Sequence, residues 1–386
     1  MSYLRRLSTR SLIILLAAVC VVAAGGTAIG VAATGGGPTP PPRPLDQAIH
    51  DALAAGHPDG VTARIQFTNS LFPSGALLGQ AGSALMSGAS GRLWLSGDGR
   101  GRIELQSNAG DVQVVWSASQ VSVYDASSNT VYRAKLPATT RSSGSADTPP
   151  ALADVDKVLS EIGMHWALSD AQPTDIAGRG AYTVSASPKH DGGLLGSLQL
   201  AWDATNGTPL RAGVYAQGNT TPVLELTVTD ISYAAVASSD VDVAAPAGAK
   251  VVDLDTSSPS DKGSSRPAVT GLAPVQAAAP FPVVAPDSLV GLPRRDVRLI
   301  NGDTVLALYG QGLGGIALVE RKADGTATGG NGMLSNLPTI SLDGLTAHEL
   351  ATQLGTVLAW QTSSTSFVLA GSLPASAAET AARAVK

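Results

Sequence analysis

Apolar and polar residues alternate along much of the chain, with the period of two that is typical of half-buried strands. From Val61 to Phe67 every odd position is apolar and every even position is polar. Similar short runs follow, and turn sequences such as Gly97-Asp98-Gly99 separate them. They predict an antiparallel meander with one apolar face. The predicted strands are residues 61–69, 92–96, 102–106, 112–117, 121–124, 130–135, 165–169, 180–187, 194–203, 210–217 and 222–233.

Two segments within this region have a helical period instead. In residues 45–55, and again in residues 149–163, apolar side chains recur at intervals of three or four. The apolar stripe of the second segment consists of Leu152, Val155, Val158, Leu159 and Ile162. The pattern predicts an α+β fold, in which a curved antiparallel half-barrel sheet of about eleven strands wraps around helices.

The N-terminal segment 12–33 carries no charge, and Arg5, Arg6 and Arg10 precede it. A helix of this length crosses a hydrocarbon core of about 30 Å, and flanking arginines hold their end in the cytoplasm. We interpret the segment as a single-pass membrane anchor. Two alternatives stay open, a signal peptide cleaved after residues 31–33 and a lipoprotein site at Cys20. All three place the body outside the cytoplasm, either at the cell membrane or, after cleavage, secreted.

Gly, Pro and Ser mark two linkers and divide the chain into four parts. Residues 1–44 form a cytoplasmic stub, the transmembrane anchor and a Gly/Pro linker, and residues 45–252 form the large domain. A Ser/Pro linker occupies residues 253–274, and a smaller α+β domain occupies residues 275–386. The glycine-rich sequence 310–315 precedes a predicted strand instead of a helix, so it indicates a hairpin and not a phosphate loop.

The order of elements in residues 45–243 resembles the LolA/LolB-like lipoprotein-carrier fold. The sequences SGRLWLSG and QVSVYDASSNTVYRAKLP carry this resemblance, together with the segment from Leu200 to Arg211. The end of the chain, with Val357-Leu-Ala-Trp-Gln361 and a final helix, resembles the C-terminal domain of RseB-like sigma-factor regulatory proteins. The resemblance implies an apolar cavity between sheet and helices that holds acyl chains or lipidated peptides, although this fold serves carriers, receptors and sensors alike.

The apolar strand positions are the candidates for the cavity wall, and ordinary core packing is the alternative for each. An uncharged insertion, residues 71–90, follows the first strand. Three interpretations of this insertion stay open: it caps the domain's own core, it closes over a ligand cavity as a mobile lid, or it touches the membrane. The cavity candidates are Ile65, Phe67, Leu93, Leu95, Ile103, Leu105, Val112, Val114, Trp116, Leu198, Leu200, Trp202, Leu224 and Leu226. The lid candidates are Leu71, Phe72, Leu77, Leu78, Leu85 and Met86.

Composition argues against several other functions. A net charge of −5 disfavours nucleic-acid binding, which needs a basic surface. A single Cys excludes a disulfide framework and a Cys-rich zinc site. The five histidines lack metal-ligand spacing, and the chain has no GxSxG sequence. We therefore expect no catalytic residue, metal or cofactor.

These observations predict a membrane-anchored, extracytoplasmic, non-enzymatic protein that binds the acyl chains of a lipid or lipoprotein. Its other contact would be the cell membrane, through the N-terminal helix. The main alternative is an RseB-like sensor that binds an anti-sigma factor or another envelope protein. A structural envelope protein with a filled core and an unrecognised hydrolase are further alternatives, and a packed interior or a perturbed buried Asp or His would favour them respectively.

Overall fold

The computed structural model describes residues 39–55, 58–71, 88–108, 110–136, 151–254, 269–323 and 337–385. The predicted anchor and most of the insertion 71–90 lie outside these ranges. Within them, no helix has the length and apolarity needed to cross a bilayer.

The described residues of the large domain form one 13-stranded sheet and three helices. The helices are α1 (Leu45–Ala54), α2 (Leu152–Gly163) and α3 (Ser238–Val241). The strands are β1 (Gly60–Asn69), β2 (Ala89–Ser96), β3 (Gly101–Ser107), β4 (Gly110–Trp116), β5 (Gln120–Asp125), β6 (Thr130–Lys135), β7 (Trp166–Leu168), β8 (Gln172–Ile176), β9 (Arg179–Pro188), β10 (Leu195–Asp203), β11 (Pro209–Ala216), β12 (Leu224–Ser232) and β13 (Lys250–Leu254).

Two meanders join along β1 and β12 to form this sheet. The strand order is β13-β6-β5-β4-β3-β2-β1-β12-β11-β10-β9-β7, and β8 pairs with β9. The sheet is open, with β13 and β7 at its edges, so the expected α+β class and large open sheet are observed. Two strands differ from the prediction. β8 contains Pro173, which obscures its pattern, and β13 pairs with β6 in parallel and not in a meander.

The pairing register places the alternating apolar positions on one face of the sheet. Ala63 is the cross-strand partner of Leu93, which is also opposite Ile103, and Ile103 is opposite Val114. We call this side, which also carries Ile65, the apolar face. The polar positions between them occupy the opposite side, which we call the polar face.

The smaller domain contains a 9-stranded sheet with helices α4 and α5. The helices are α4 (Leu272–Ala278) and α5 (Ala375–Arg383). The strands are β14 (Val269–Thr270), β15 (Ser288–Leu289), β16 (Leu292–Ile300), β17 (Thr304–Tyr309), β18 (Ile316–Lys322), β19 (Thr339–Leu342), β20 (Leu345–Thr352), β21 (Gly355–Gln361) and β22 (Thr365–Gly371). Residues from both helices and the sheet form one buried core.

Two features of this domain differ from the sequence-based expectation. Of the segment 253–274 assigned to the linker, residues 253–254 lie in β13, residues 269–270 form β14 and residues 272–274 lie in α4. β19 and β20 form a hairpin that was not predicted, because the alternating stretch of β19 is only four residues long and the alternation in β20 stops at His348-Glu349. The glycine-rich sequence 310–315 connects the antiparallel strands β17 and β18, as predicted for a hairpin.

The two domains contact each other through turns. The backbone N–H of Gly314 donates to the carbonyl oxygen of Asp191 at 2.6 Å, and that of Leu194 donates to Oγ of Ser372 at 2.9 Å. Gln353 reaches the large domain twice, since its Oε1 accepts a hydrogen bond from Asn219 and its Nε2 donates to the carbonyl oxygen of Ser70, both at 2.8 Å. We call this set of contacts the domain junction.

Candidate apolar binding site

The fourteen cavity candidates on the apolar face differ in how deeply they are buried. Eight of the fourteen cavity candidates are buried, and seven of these belong to the hydrophobic clusters of the domain. Their role is packing, as the alternative interpretation stated. The buried candidates are Ile65, Phe67, Ile103, Leu105, Val112, Val114, Trp202 and Leu226.

The other six candidates keep part of their surface accessible. Leu93, Leu95, Trp116, Leu198 and Leu224 are half-buried. Leu200 is 41% exposed, although it lies on an interior strand between Val184 of β9 and Ala212 of β11. Apolar residues on the core side of an antiparallel sheet are ordinarily covered, so Leu200 marks a place at which the apolar face is open.

Helix α1 packs against one part of the apolar face. Its Ala48 is buried together with Tyr182 of β9 and Trp202 of β10, and Leu45 and Ile49 pack against them. The rings of Tyr182 and Trp202 lie 6.3 Å apart. This contact explains why Trp202 is buried while Leu200, two residues earlier on the same face, is not.

Helix α2 packs against α1 and leaves most of its apolar stripe uncovered. Val155, in the middle of the stripe, is its only buried residue. Leu152 and Ile162 are each exposed, Val158 is 54% exposed, and Met164, which follows the helix, is 62% exposed. Exposed apolar side chains at this spacing form a continuous surface on one side of a helix, and such surfaces mark binding sites more often than ordinary solvent-facing surface.

Of the lid candidates, Leu71 alone lies within the described residues. It is half-buried, and its backbone N–H donates to Oδ1 of Asn69 at 2.9 Å. Phe72, Leu77, Leu78, Leu85 and Met86 lie outside the described residues.

The arginines of the first meander lie on the polar face. Arg64 and Arg92 are opposite each other on β1 and β2. Arg102 contacts Glu104 and stacks over the Trp94 ring at 4.9 Å. The apolar site therefore has no arginine from these strands, and its chemistry is that of hydrophobic contact.

Within the described ranges, no group of three His, Cys, Asp or Glu side chains is placed to hold a metal ion. His348 contacts the carbonyl oxygen of Leu337 at 3.1 Å, and His50 lies 3.3 Å from the carboxylate of Asp51. Neither of these two histidines contacts a serine or cysteine in these interactions.

Sequence reasoning missed one buried carboxyl group, Glu320 in the smaller domain. Burial raises its pKa to about 7. The signal was present in the sequence, because Glu320 follows Ile316 and Leu318 in the inward-facing phase of β18.

The chain was compared with known proteins. No model of a known protein family matches it, and no curated protein does. Similar solved structures include the MucA/MucB complex of Pseudomonas aeruginosa, with 15% identity over 89% of this chain and 98% of that chain and a TM-score of 0.44. MucB in complex with MucA(peri) has 14% identity over the same shares and a TM-score of 0.43.

A LolA superfamily protein from Nitrosomonas europaea has 11% identity over 52% of this chain and 98% of that chain, with a TM-score of 0.22. The neighbours are thus RseB-like and LolA-like proteins, the two groups that the sequence resemblance named. The likeness concerns the fold, and the function is argued from the site.

Proposed function

We propose that the large domain binds the acyl chain of a lipid or lipoprotein between its apolar face and helix α2, without catalysing a reaction. The observation that carries this proposal is the exposure of Leu200 on an interior strand together with the uncovered stripe of α2. The N-terminal segment would hold the protein at the membrane, with both domains outside the cytoplasm.

The energetics of such binding follow from the hydrophobic effect. Each methylene group that moves from water into an apolar site contributes about 0.8 kcal/mol. An acyl chain also covers apolar side chains that the protein otherwise leaves in water, so apolar surface of both the ligand and the protein is buried and contributes to the free energy of binding. Specificity for the head group would then be low, since the described apolar site carries no charged side chain.

The test is photo-crosslinking of the full chain with a diazirine-bearing palmitic acid, followed by peptide mapping. We expect adducts on β10 and α2, and Leu200→Asp should lower the yield at least tenfold because a carboxylate is costly to bury beside an acyl chain. Leu308→Asp is the matched control, since Leu308 is 36% exposed in the smaller domain. Absence of adducts on β10 and α2, or equal yields from both variants, would contradict the proposal.

The domain junction favours a second candidate function, an RseB-like sensor that binds an anti-sigma factor or another envelope protein. Gln353 holds Ser70 at the end of β1 and Asn219 in the β11–β12 turn, so the position of the smaller domain is coupled to the large domain. A carrier does not need this arrangement, whereas a sensor does. In-membrane crosslinking of the full chain tests it: one stoichiometric envelope protein supports a sensor, and recovery of lipid alone supports a carrier.

A further inference from the structure

A segment of chain crosses the polar face of the large sheet and is fixed at both ends. We call residues 242–249 the strap. At one end Asp242 forms an ion pair with Arg100. At the other end the carbonyl oxygen of Gly248 accepts a hydrogen bond of 3.3 Å from Asn129, just before β13 joins the sheet. The strap therefore spans β4 and β5 as a bridge, with its position set by contacts on either side.

Beneath the strap lies a groove of about 340 Å³. This is within the range of volumes that small-molecule sites occupy. Strands β4, β5 and β6 form its floor, and residues 243–245 of the strap form one wall. The polar side chains that line it are Gln113, Gln120, Ser122, Tyr124 and Arg133, and Val115 and Val131 supply an apolar patch. The groove is on the opposite face from the acyl site, so it is a separate site.

Arg133 supplies an unpaired cation in this groove. It is half-buried, and within the described residues its guanidinium makes no hydrogen bond or ion pair. Arg102, three strands away on the same face, is by contrast paired with Glu104. Ser122 is the cross-strand partner of Arg133, so both side chains lie on the polar face, and the Ser122 hydroxyl donates a hydrogen bond of 3.4 Å to the carbonyl oxygen of Val115. A half-buried arginine with all its donors free is suited to a bidentate contact with an oxyanion.

The surrounding charges decide which oxyanion fits. Asp253 of β13 lies at the register position next to Arg133 without forming an ion pair with it. Glu104 is also close, because its Oε1 accepts a hydrogen bond of 3.2 Å from Gln113 in the groove. Because Glu104 is already paired with Arg102, Asp253 and Arg133 set the local charge balance. One carboxylate beside one guanidinium disfavours a doubly charged phosphate more than a singly charged carboxylate.

We propose that this groove binds a carboxylate that is flanked by amide or hydroxyl groups. Arg133 binds the carboxylate, and Ser122, Gln113 and Gln120 hydrogen-bond to the neighbouring polar groups. Val115 and Val131 accept an apolar side chain. The C-terminus of a peptide and a small hydroxy acid share this chemistry, and the experiment distinguishes them.

The test is isothermal titration calorimetry of the full chain with three probes. The probes are N-acetyl-Ala-Ala-Val with a free carboxylate, the same peptide as its C-terminal amide, and lactate. We expect the free acid to bind at least tenfold more tightly than the amide. If lactate binds as tightly as the free-acid peptide, the site is one for small hydroxy acids; if lactate binds at least tenfold more weakly, the site is one for peptide termini. If neither carboxylate binds, the proposal is overturned.

Two variants and one control locate the binding. Arg133→Gln should weaken binding of the free-acid peptide at least tenfold, and Ser122→Leu should do the same by filling the groove while it keeps the charge. Arg92→Gln is the control, because Arg92 is exposed on the same face and likewise makes no ion pair with a described residue. An equal loss in Arg92→Gln would show non-specific attraction to a cationic face and would overturn the proposal. Circular dichroism of each variant verifies that the fold is retained.

Discussion

Oε2 of Glu320 accepts a hydrogen bond of 2.7 Å from the backbone N–H of Val284. This contact attaches the segment between α4 and β15 to β18 in the smaller domain. Glu320 is completely buried, and its Oε1 has no hydrogen-bond partner among the described residues. Burial raises the pKa of this carboxyl to about 7, while the hydrogen bond from Val284 acts in the opposite direction.

The raised pKa of Glu320 predicts that the smaller domain loses stability as the pH rises. Between the ordinary value of 4.5 and about 7, the folded state holds a proton that the unfolded state releases. The free energy of unfolding therefore falls through this window and levels off above it. Glu320→Gln should remove the slope and stabilise the domain at pH 8 by about 2–3 kcal/mol, because its amide needs no proton.

Hydrogen–deuterium exchange of peptides from β18, measured at pH 5.5 and pH 8 and corrected for the intrinsic rate, checks this prediction. Glu161→Gln in α2 of the large domain is the control and should leave β18 unchanged. A pH dependence that persists in Glu320→Gln would show that another group causes it.

A second buried carboxylate predicts a stability change in the large domain. The hydroxyl of Tyr233 donates to Oδ2 of Asp203 at 2.6 Å, and Asp203 is buried. Burial, followed by this hydrogen bond, raises the pKa of Tyr233 to about 12. Tyr233→Phe leaves the Asp203 carboxylate without one of its hydrogen-bond donors. It should lower the free energy of unfolding, measured with urea, by about 1–3 kcal/mol.

Tyr124→Phe is the matched control, because its hydroxyl bonds to Asn129 at 3.2 Å in an exposed position. The control should cost less than about 0.5 kcal/mol. Equal losses from the two variants would mean that the Asp203 contact is not what makes Tyr233 important.

The local pattern predicted which strands form and which side of each strand is apolar. β1 and β10 lie where apolar and polar positions alternate, since a period of two determines which face each residue occupies. It did not predict β13, because the parallel pairing with β6 joins residues about 120 positions apart, Val251 and Val131 for example. No local pattern contains that information.

The same limit explains why the site was only partly predicted. Leu200 and Trp202 occupy the same phase of one strand, and the sequence made both of them candidates for the cavity wall. Trp202 is buried and Leu200 is open. The difference depends on where α1 packs, which is a tertiary contact between residues about 150 positions apart.

Truncation of a buried core leucine should therefore lower the free energy of unfolding more than truncation of the partly exposed Leu200. Leu105 is 0% exposed among the strands of the apolar face, and Leu200 is open. Leu105→Ala should lower the free energy of unfolding by about 2–5 kcal/mol because it leaves a cavity. Leu200→Ala should lower it by less than about 1.5 kcal/mol, as only part of its surface is buried.

Urea unfolding of the two variants measures this difference, and palmitate crosslinking of the same proteins provides the complementary readout. Leu200→Ala should reduce the yield of palmitate crosslinking, although its free energy of unfolding stays close to that of the unmodified protein. If both variants are destabilised equally, Leu200 is a core residue and the proposed site is filled.

The domain junction makes a prediction about two glycines with similar backbone conformations. Gly193 has φ of +60°, and a Cβ there would lie 2.6 Å from Oγ of Ser372. Gly218 has φ of +77°, and a Cβ there would meet nothing within 4 Å. Alanine at either position carries a left-handed strain of about 1–2 kcal/mol, but only alanine at Gly193 collides with the other domain.

Gly193→Ala should accordingly increase amide exchange of Leu194 and Gly314 at least tenfold, because both donate across the junction. Gly218→Ala should leave these amides protected. Equal exchange in the two variants would show that backbone strain, and not contact between the domains, controls the junction.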